Sequence, residues 1–271
     1  MKFRRCFFCC HKTKEADSLS RESELKPRNL NGVEKLLGYE FKDKTLLEKA
    51  FTHASYTDVI CESYERLEYV GDAVLNMLVA RAFYIWYPKL SPGLLTQLRA
   101  ANVDTEKLAR VAVKHGLYAY LRHQKGNQIE DQIQEFREEM ELHPLHSMGL
   151  IKPPKVLADI VESLVGAIFM DCGFSPDKLW PIVKSLLEPI IYLDTMRSHP
   201  KSELQELCQK KGWKIHYKRD LENGVINVFV EDRLVGKASF SSPNIKKDVA
   251  TNHAAKNALI HLKTVTFLGL D

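Results

Sequence analysis

The sequence predicts two folded units of different class: an all-helical body over residues 30–195 and a small α-β-β-β-α unit over residues 199–265, behind a basic, disordered leader over residues 1–29. Three observations carry the division. Outside residues 123–155, apolar residues recur at three- and four-residue spacing from Leu36 to about Ile191, the repeat of one helix face. After Ser198-His199-Pro200 the repeat shortens to two in three successive runs, the alternation of half-buried strands. With 271 residues, 45% of them hydrophobic, the chain can fill one large core and one small one.

Leu46, Leu47, Ala50 and Phe51 mark the first clear helix. A long one starts at Glu65 and runs through roughly Tyr84, before Pro88 and Pro92-Gly93 break the chain. Leu94 to Leu98 resume helix, and Leu108, Val111, Ala112 and Leu117 suggest another that ends near His115-Gly116. Residues 123–155 are acidic and polar, with Pro144, Pro153 and Pro154 near their end, and read as an insertion holding one charged helix around Glu130 to Glu141. A strongly apolar helix follows from Lys155 to Phe169. In the second unit a helix opens with Ser202 as its cap. Lys214 to Lys218, Val225 to Val230 and Val235 to Phe240 are the strands, and Asn223-Gly224 predicts a tight first hairpin. An alanine-rich helix closes the unit from about Lys246 to Leu262.

Chemistry concentrates on two of these helices. Glu65, Glu68 and Asp72 stand at i, i+3 and i+7, on one face, while Leu67, Val70, Val74 and Leu78 form an apolar stripe elsewhere. Like charges stacked along a helix repel, so helix stability does not ask for this arrangement. Asp159 and Glu162 repeat the i, i+3 spacing among residues that are almost wholly apolar. Ionised carboxylates at the margin of a core need a partner, and a hard cation held by oxygen ligands is the usual one. Pairing with Lys or Arg on a solvated face is the alternative.

The runs ERLEYVGDAVL (residues 65–75) and LADIVESLVGAIF (residues 157–169) resemble the two signature elements of the ribonuclease III family. The likeness extends over Leu36-Leu37-Gly38-Tyr39-Glu40-Phe41 and Thr52-His53-Ala54-Ser55, and the insertion is most similar to plant-type ribonuclease III-like proteins. The resemblance implies an endoribonuclease that cleaves double-stranded RNA with Mg2+, for which Mn2+ could substitute. Glu68, Asp72, Asp159 and Glu162 would be the catalytic metal ligands. The ions would activate a water in line with the scissile phosphate and stabilise the leaving 3′-oxygen, giving 5′-phosphate and 3′-hydroxyl ends. Glu65 and Lys155 would position substrate, the lysine as a phosphate contact. One further family acid has no counterpart, because Pro92 stands in its place.

Cutting two strands takes two active sites, so the resemblance implies a symmetric homodimer with Tyr69 where a family aromatic packs across the interface. A core tyrosine within one subunit is the alternative. A non-catalytic double-stranded RNA-binding scaffold is the competing function. It would be marked by loss of a metal carboxylate, and all four are present.

The second unit resembles a double-stranded RNA-binding domain, which reads the A-form helix by shape, through minor-groove 2′-hydroxyls and phosphates. Gln205 and Glu206 match its minor-groove helix, and Lys246 and Lys247 match the start of its phosphate-binding run. The third basic position is Ala250 or Thr251, and Leu221-Glu222-Asn223-Gly224 replaces the family's Gly-Pro-x-His loop. Each lost phosphate contact weakens binding and flattens its salt dependence. A role in protein contacts is therefore the alternative for this unit.

The net charge of +4 hides a division: residues 1–29 carry 8 Lys/Arg against 4 Asp/Glu, residues 30–198 carry 19 against 23, and residues 199–271 carry 12 against 8. Basic ends flanking an acidic body suit a polyanionic substrate recruited from the ends. Cysteines at 6, 9, 10, 61, 172 and 208 include half of a metal knuckle, Cys6-x-x-Cys9-Cys10-His11, without a second ligand pair, so structural zinc is not expected. No run of eighteen apolar residues occurs, so no membrane span is expected, and the chain is placed inside the cell, in nucleus or cytoplasm.

Overall fold

The computed structural model describes residues 29–56, 63–124, 128–239 and 247–267, the last with side chains to residue 264. The leader as far as residue 28, Lys246 and the cysteines at 6, 9, 10 and 61 lie outside the described residues.

Among the described residues the body is built of helices: α1 (Asn31–Leu37), α2 (Lys44–Ala50), α3 (Glu65–Trp86), α4 (Pro92–Val103), α5 (Thr105–Lys114), α6 (Ile129–Glu141), α7 (Lys155–Asp171) and α8 (Pro176–Leu187). α7 is its axis. Val156 to Val161 and Ser163 to Ile168 are all buried, and a helix apolar around its circumference belongs in the middle of a bundle. α3, α5 and α2 pack around it, and Ser163 fastens it to α2 by donating to the Ala50 carbonyl at 2.7 Å. Pro92 does not break a helix but begins one: Ser91 caps α4 and Pro92 occupies its first position, where a missing N–H costs nothing.

α3 and α7 cross with their backbones in contact. A Cβ on Gly71 would overlap the Glu162 carbonyl and stand 2.9 Å from the Gly166 amide nitrogen, and one on Gly166 would overlap the Leu67 carbonyl. No other residue type fits this crossing, and it brings the two acid-bearing helices to backbone contact.

The second unit has its own core. α9 (Pro200–Lys211) and α10 (Lys247–Phe267) cover one face of an antiparallel sheet ordered β1 (Ile215–Asp220), β2 (Val225–Val230) and β3 (Arg233–Ser239). Leu204 and Cys208 of α9, Ile226, Val228 and Val230 of β2, and four alanines of α10 meet there. α9 starts two residues before the expected Ser202, because Pro200 takes the first helical position and leaves Ser202 exposed inside the first turn. The first hairpin is wider than Asn-Gly alone suggests. Asp220 pairs with Val225 across four loop residues, and Asp220 accepts from the Asn223 backbone and side chain at 3.0 and 2.8 Å.

A hydrogen-bonded bracket joins the two units through the end of the insertion. His146 accepts from the Met148 N–H at Nδ1, so its Nε2 carries the proton and donates to Asp104 at 2.9 Å, while Ser147 donates its N–H and hydroxyl to buried Glu106 at 2.7 and 2.5 Å. α10 grips the next two residues: Asn252 donates to the Gly149 carbonyl at 3.1 Å and His253 to the Leu150 carbonyl at 2.8 Å. Gly149 has φ +81°, and a Cβ there would stand 2.5 Å from the Asn252 amide nitrogen.

Candidate metal centre

The α3–α7 crossing brings together Glu68, Asp159 and Glu162, whose carboxylate oxygens lie within 4.8 Å of one another. Among the described residues this group could hold a metal ion, and a set of carboxylate oxygens is what a hard divalent cation prefers. Asp159 is only 6% exposed, so its charge has to be balanced nearby. The balancing group is Lys155, whose Nζ donates to Glu68 at 2.7 Å and to Asp159 at 2.6 Å. An ammonium seated between Glu68 and Asp159 is the ion-pair arrangement that the sequence left as the alternative. Burial alone would lower the pKa of Lys155, but hydrogen bonds to Asp159 and Glu68 outweigh it and hold the lysine charged well beyond its usual range.

Glu162 has neither oxygen on the lysine. Burial, followed by the charges of Asp72, Asp159 and Glu68, pushes its carboxyl up to about 8. Burial beside three other acids favours the protonated form of this carboxyl.

Asp72 lines the same cleft, of about 780 Å³, but is not one of the three clustered acids. It is exposed, and its Oδ1 accepts from Asn76 Nδ2 at 2.8 Å, while Asn76 accepts in turn from Arg99. Glu65 is exposed at the rim and accepts from the Ser63 hydroxyl at 3.1 Å. Lys155, expected to meet phosphate, here meets the acids instead. Tyr69 is 82% exposed, which excludes the reading of it as a core residue. It begins a surface stripe on α3 that continues through Ala73, Met77, Ala80 and Tyr84.

On the second unit Gln205, Glu206 and Lys247 are exposed, and Lys246 lies outside the described residues. Sequence reasoning passed over Tyr64, which precedes the acidic helix and donates its hydroxyl to Asp159 Oδ2 at 3.1 Å. Burial and the Asp159 charge raise this phenol far above its usual range, so it stays protonated and remains a donor. It also passed over Gly71 and Gly166, although both stand inside the runs that carry the acids.

The ribonuclease III domain family matches residues 65–173 of the chain. Ribonuclease 3-like protein 3 of Oryza sativa subsp. japonica is 49% identical over 241 residues, which cover 88% of this chain and 79% of the rice protein. Ribonuclease 3-like protein 2 of Arabidopsis thaliana is 41% identical over 257 residues, 92% of this chain and 63% of that protein. Endoribonuclease Dicer homolog 1 of Arabidopsis thaliana is 44% identical over 250 residues, 89% of this chain, which spans only 13% of that much longer protein.

Proposed function

The chain belongs to the ribonuclease III family and is an endoribonuclease of that type, and from that premise we propose that it cleaves double-stranded RNA with Mg2+, leaving 5′-phosphate and 3′-hydroxyl ends. The observation that carries the reading is the convergence of Glu68, Asp159 and Glu162 from two helices, with a lysine ammonium bound to the first two. These acids would hold the ion, and Asp72 would join them by leaving Asn76. When bound, the ion supplies an activated attacking water and charge stabilisation of the leaving oxygen.

The protein's own groups do the rest. Glu162, whose burial among acids favours its protonated form, would have to be ionised to serve as a ligand. Lys155, at the start of α7 and lining the same cleft, would be released from the acids and would meet a phosphate there. Glu65, at the rim, helps set how the substrate enters.

The exposed stripe beginning at Tyr69 packs against a second copy, so that two centres serve two strands. The second unit binds the duplex by shape, through Gln205 and Glu206 and through Lys246 and Lys247. Incubating the protein with long double-stranded RNA, with and without Mg2+, tests the reading. Mg2+-dependent fragments with 5′-phosphate ends are expected. Intact RNA at saturating Mg2+, or fragments with 3′-phosphate ends, would overturn it.

A further inference from the structure

Asp159 uses its two oxygens differently. Oδ1 meets Lys155 Nζ at 2.6 Å, and that lysine side chain is 71% exposed, so it can swing away and yield the oxygen to a cation. Oδ2 accepts from the Tyr64 hydroxyl, and Tyr64 is 4% exposed and held at both its backbone and its ring. Its N–H donates to the Thr52 carbonyl at 2.8 Å, and its ring stands edge-on to His53 with centroids 5.6 Å apart. His53 is pinned in turn: its N–H donates to the Arg122 carbonyl at 2.8 Å, and its Nδ1 accepts from the Ser55 N–H at 3.0 Å.

We propose that Tyr64 is a positioning residue of the metal centre, holding Asp159 by Oδ2 so that Oδ1 alone is offered to the cation. The inference rests on the reading that Glu68, Asp159 and Glu162 bind the ion, and it deepens that reading. A carboxylate tethered through one oxygen has its rotamer set before the ion arrives and binds through the other oxygen. Released, it would rotate and would have to be ordered on binding. Partners that orient ligating groups in this way typically change metal affinity by about 10- to 100-fold when removed.

Tyr64→Phe removes the hydroxyl and keeps the ring against His53. Binding of Mn2+ alone, without RNA, is measured by calorimetry for the full-length wild type, Tyr64→Phe and Glu162→Gln, beside their melting midpoints in chelator. The expected result is Mn2+ binding by the wild type and affinity lower by about tenfold or more in Tyr64→Phe. The metal-free melting midpoint of Tyr64→Phe should stay close to wild type, and its kcat on duplex RNA should recover at saturating metal. Equal affinities in wild type and Tyr64→Phe overturn the inference and leave the metal-site reading standing. A loss of affinity matched by an equal loss of metal-free stability overturns it too, as the mark of a structural hydroxyl. Failure of the wild type to bind Mn2+ overturns the underlying reading instead.

Discussion

Lys155 stands where a cation would. The sequence offered two readings of the acids, a metal site or ion pairs, and in the structure Glu68 and Asp159 share an ion pair with Lys155, which offsets one of their two charges. Glu162 is the acid left over, and its carboxyl, raised from 4.5 to about 8 by burial and by Asp72, Asp159 and Glu68, links stability to pH. Its folded value lies above its unfolded value, so its stabilising contribution is complete below about pH 4.5 and is lost as pH rises through about 8. In chelator the wild-type melting midpoint should therefore fall, relative to Glu162→Gln, across that window. A difference that stays constant with pH would contradict the assignment. The acids themselves were legible in the sequence because i, i+3 spacing fixes which side chains share a helix face. Tyr64 was not, since an aromatic beside a helix start reads as core until its hydroxyl is seen on Asp159.

At the scale of elements, the site depends on how closely α3 and α7 approach. Replacing a helix-interior glycine with alanine ordinarily gains about 1 kcal/mol. At Gly71 or Gly166 the sign should reverse, because the added methyl meets backbone of the facing helix, which cannot rotate aside. Overpacking of this kind costs about 1–3 kcal/mol. Gly71→Ala should lower the melting midpoint and, by parting Glu68 from Glu162, weaken Mn2+ binding. Unchanged values for both would mean that the crossing is not what assembles the centre. Both glycines were visible in the runs that carry the acids, but periodicity says only which residues share a face, not which faces meet. The start of α9 shows the same limit locally. Ser202 satisfied the cap rule, yet Pro200 at the first helical position decided the boundary.

For the molecule as a whole, the order of a helical body and an α-β-β-β-α unit was legible from the change of period near Pro200. How the units join was not. The bracket from Asp104 and Glu106 through His146 and Ser147 to Asn252 and His253 uses hydrogen bonds between residues 41, 42 and 103 positions apart, which no local pattern links. The α3 stripe also acts at this scale. Tyr69, 82% exposed, would be largely buried by a second copy, so Tyr69→Glu should place a charge in an apolar interface, shift the protein to monomer and abolish double-strand cuts. Light scattering reads the first outcome, and an unchanged dimer would point to another interface. The most direct test of the central claim is cleavage of long double-stranded RNA by Glu162→Gln at saturating Mg2+. The arrangement of the acids predicts intact RNA, together with duplex binding and a fold close to wild type. Cleavage at the wild-type rate would contradict it.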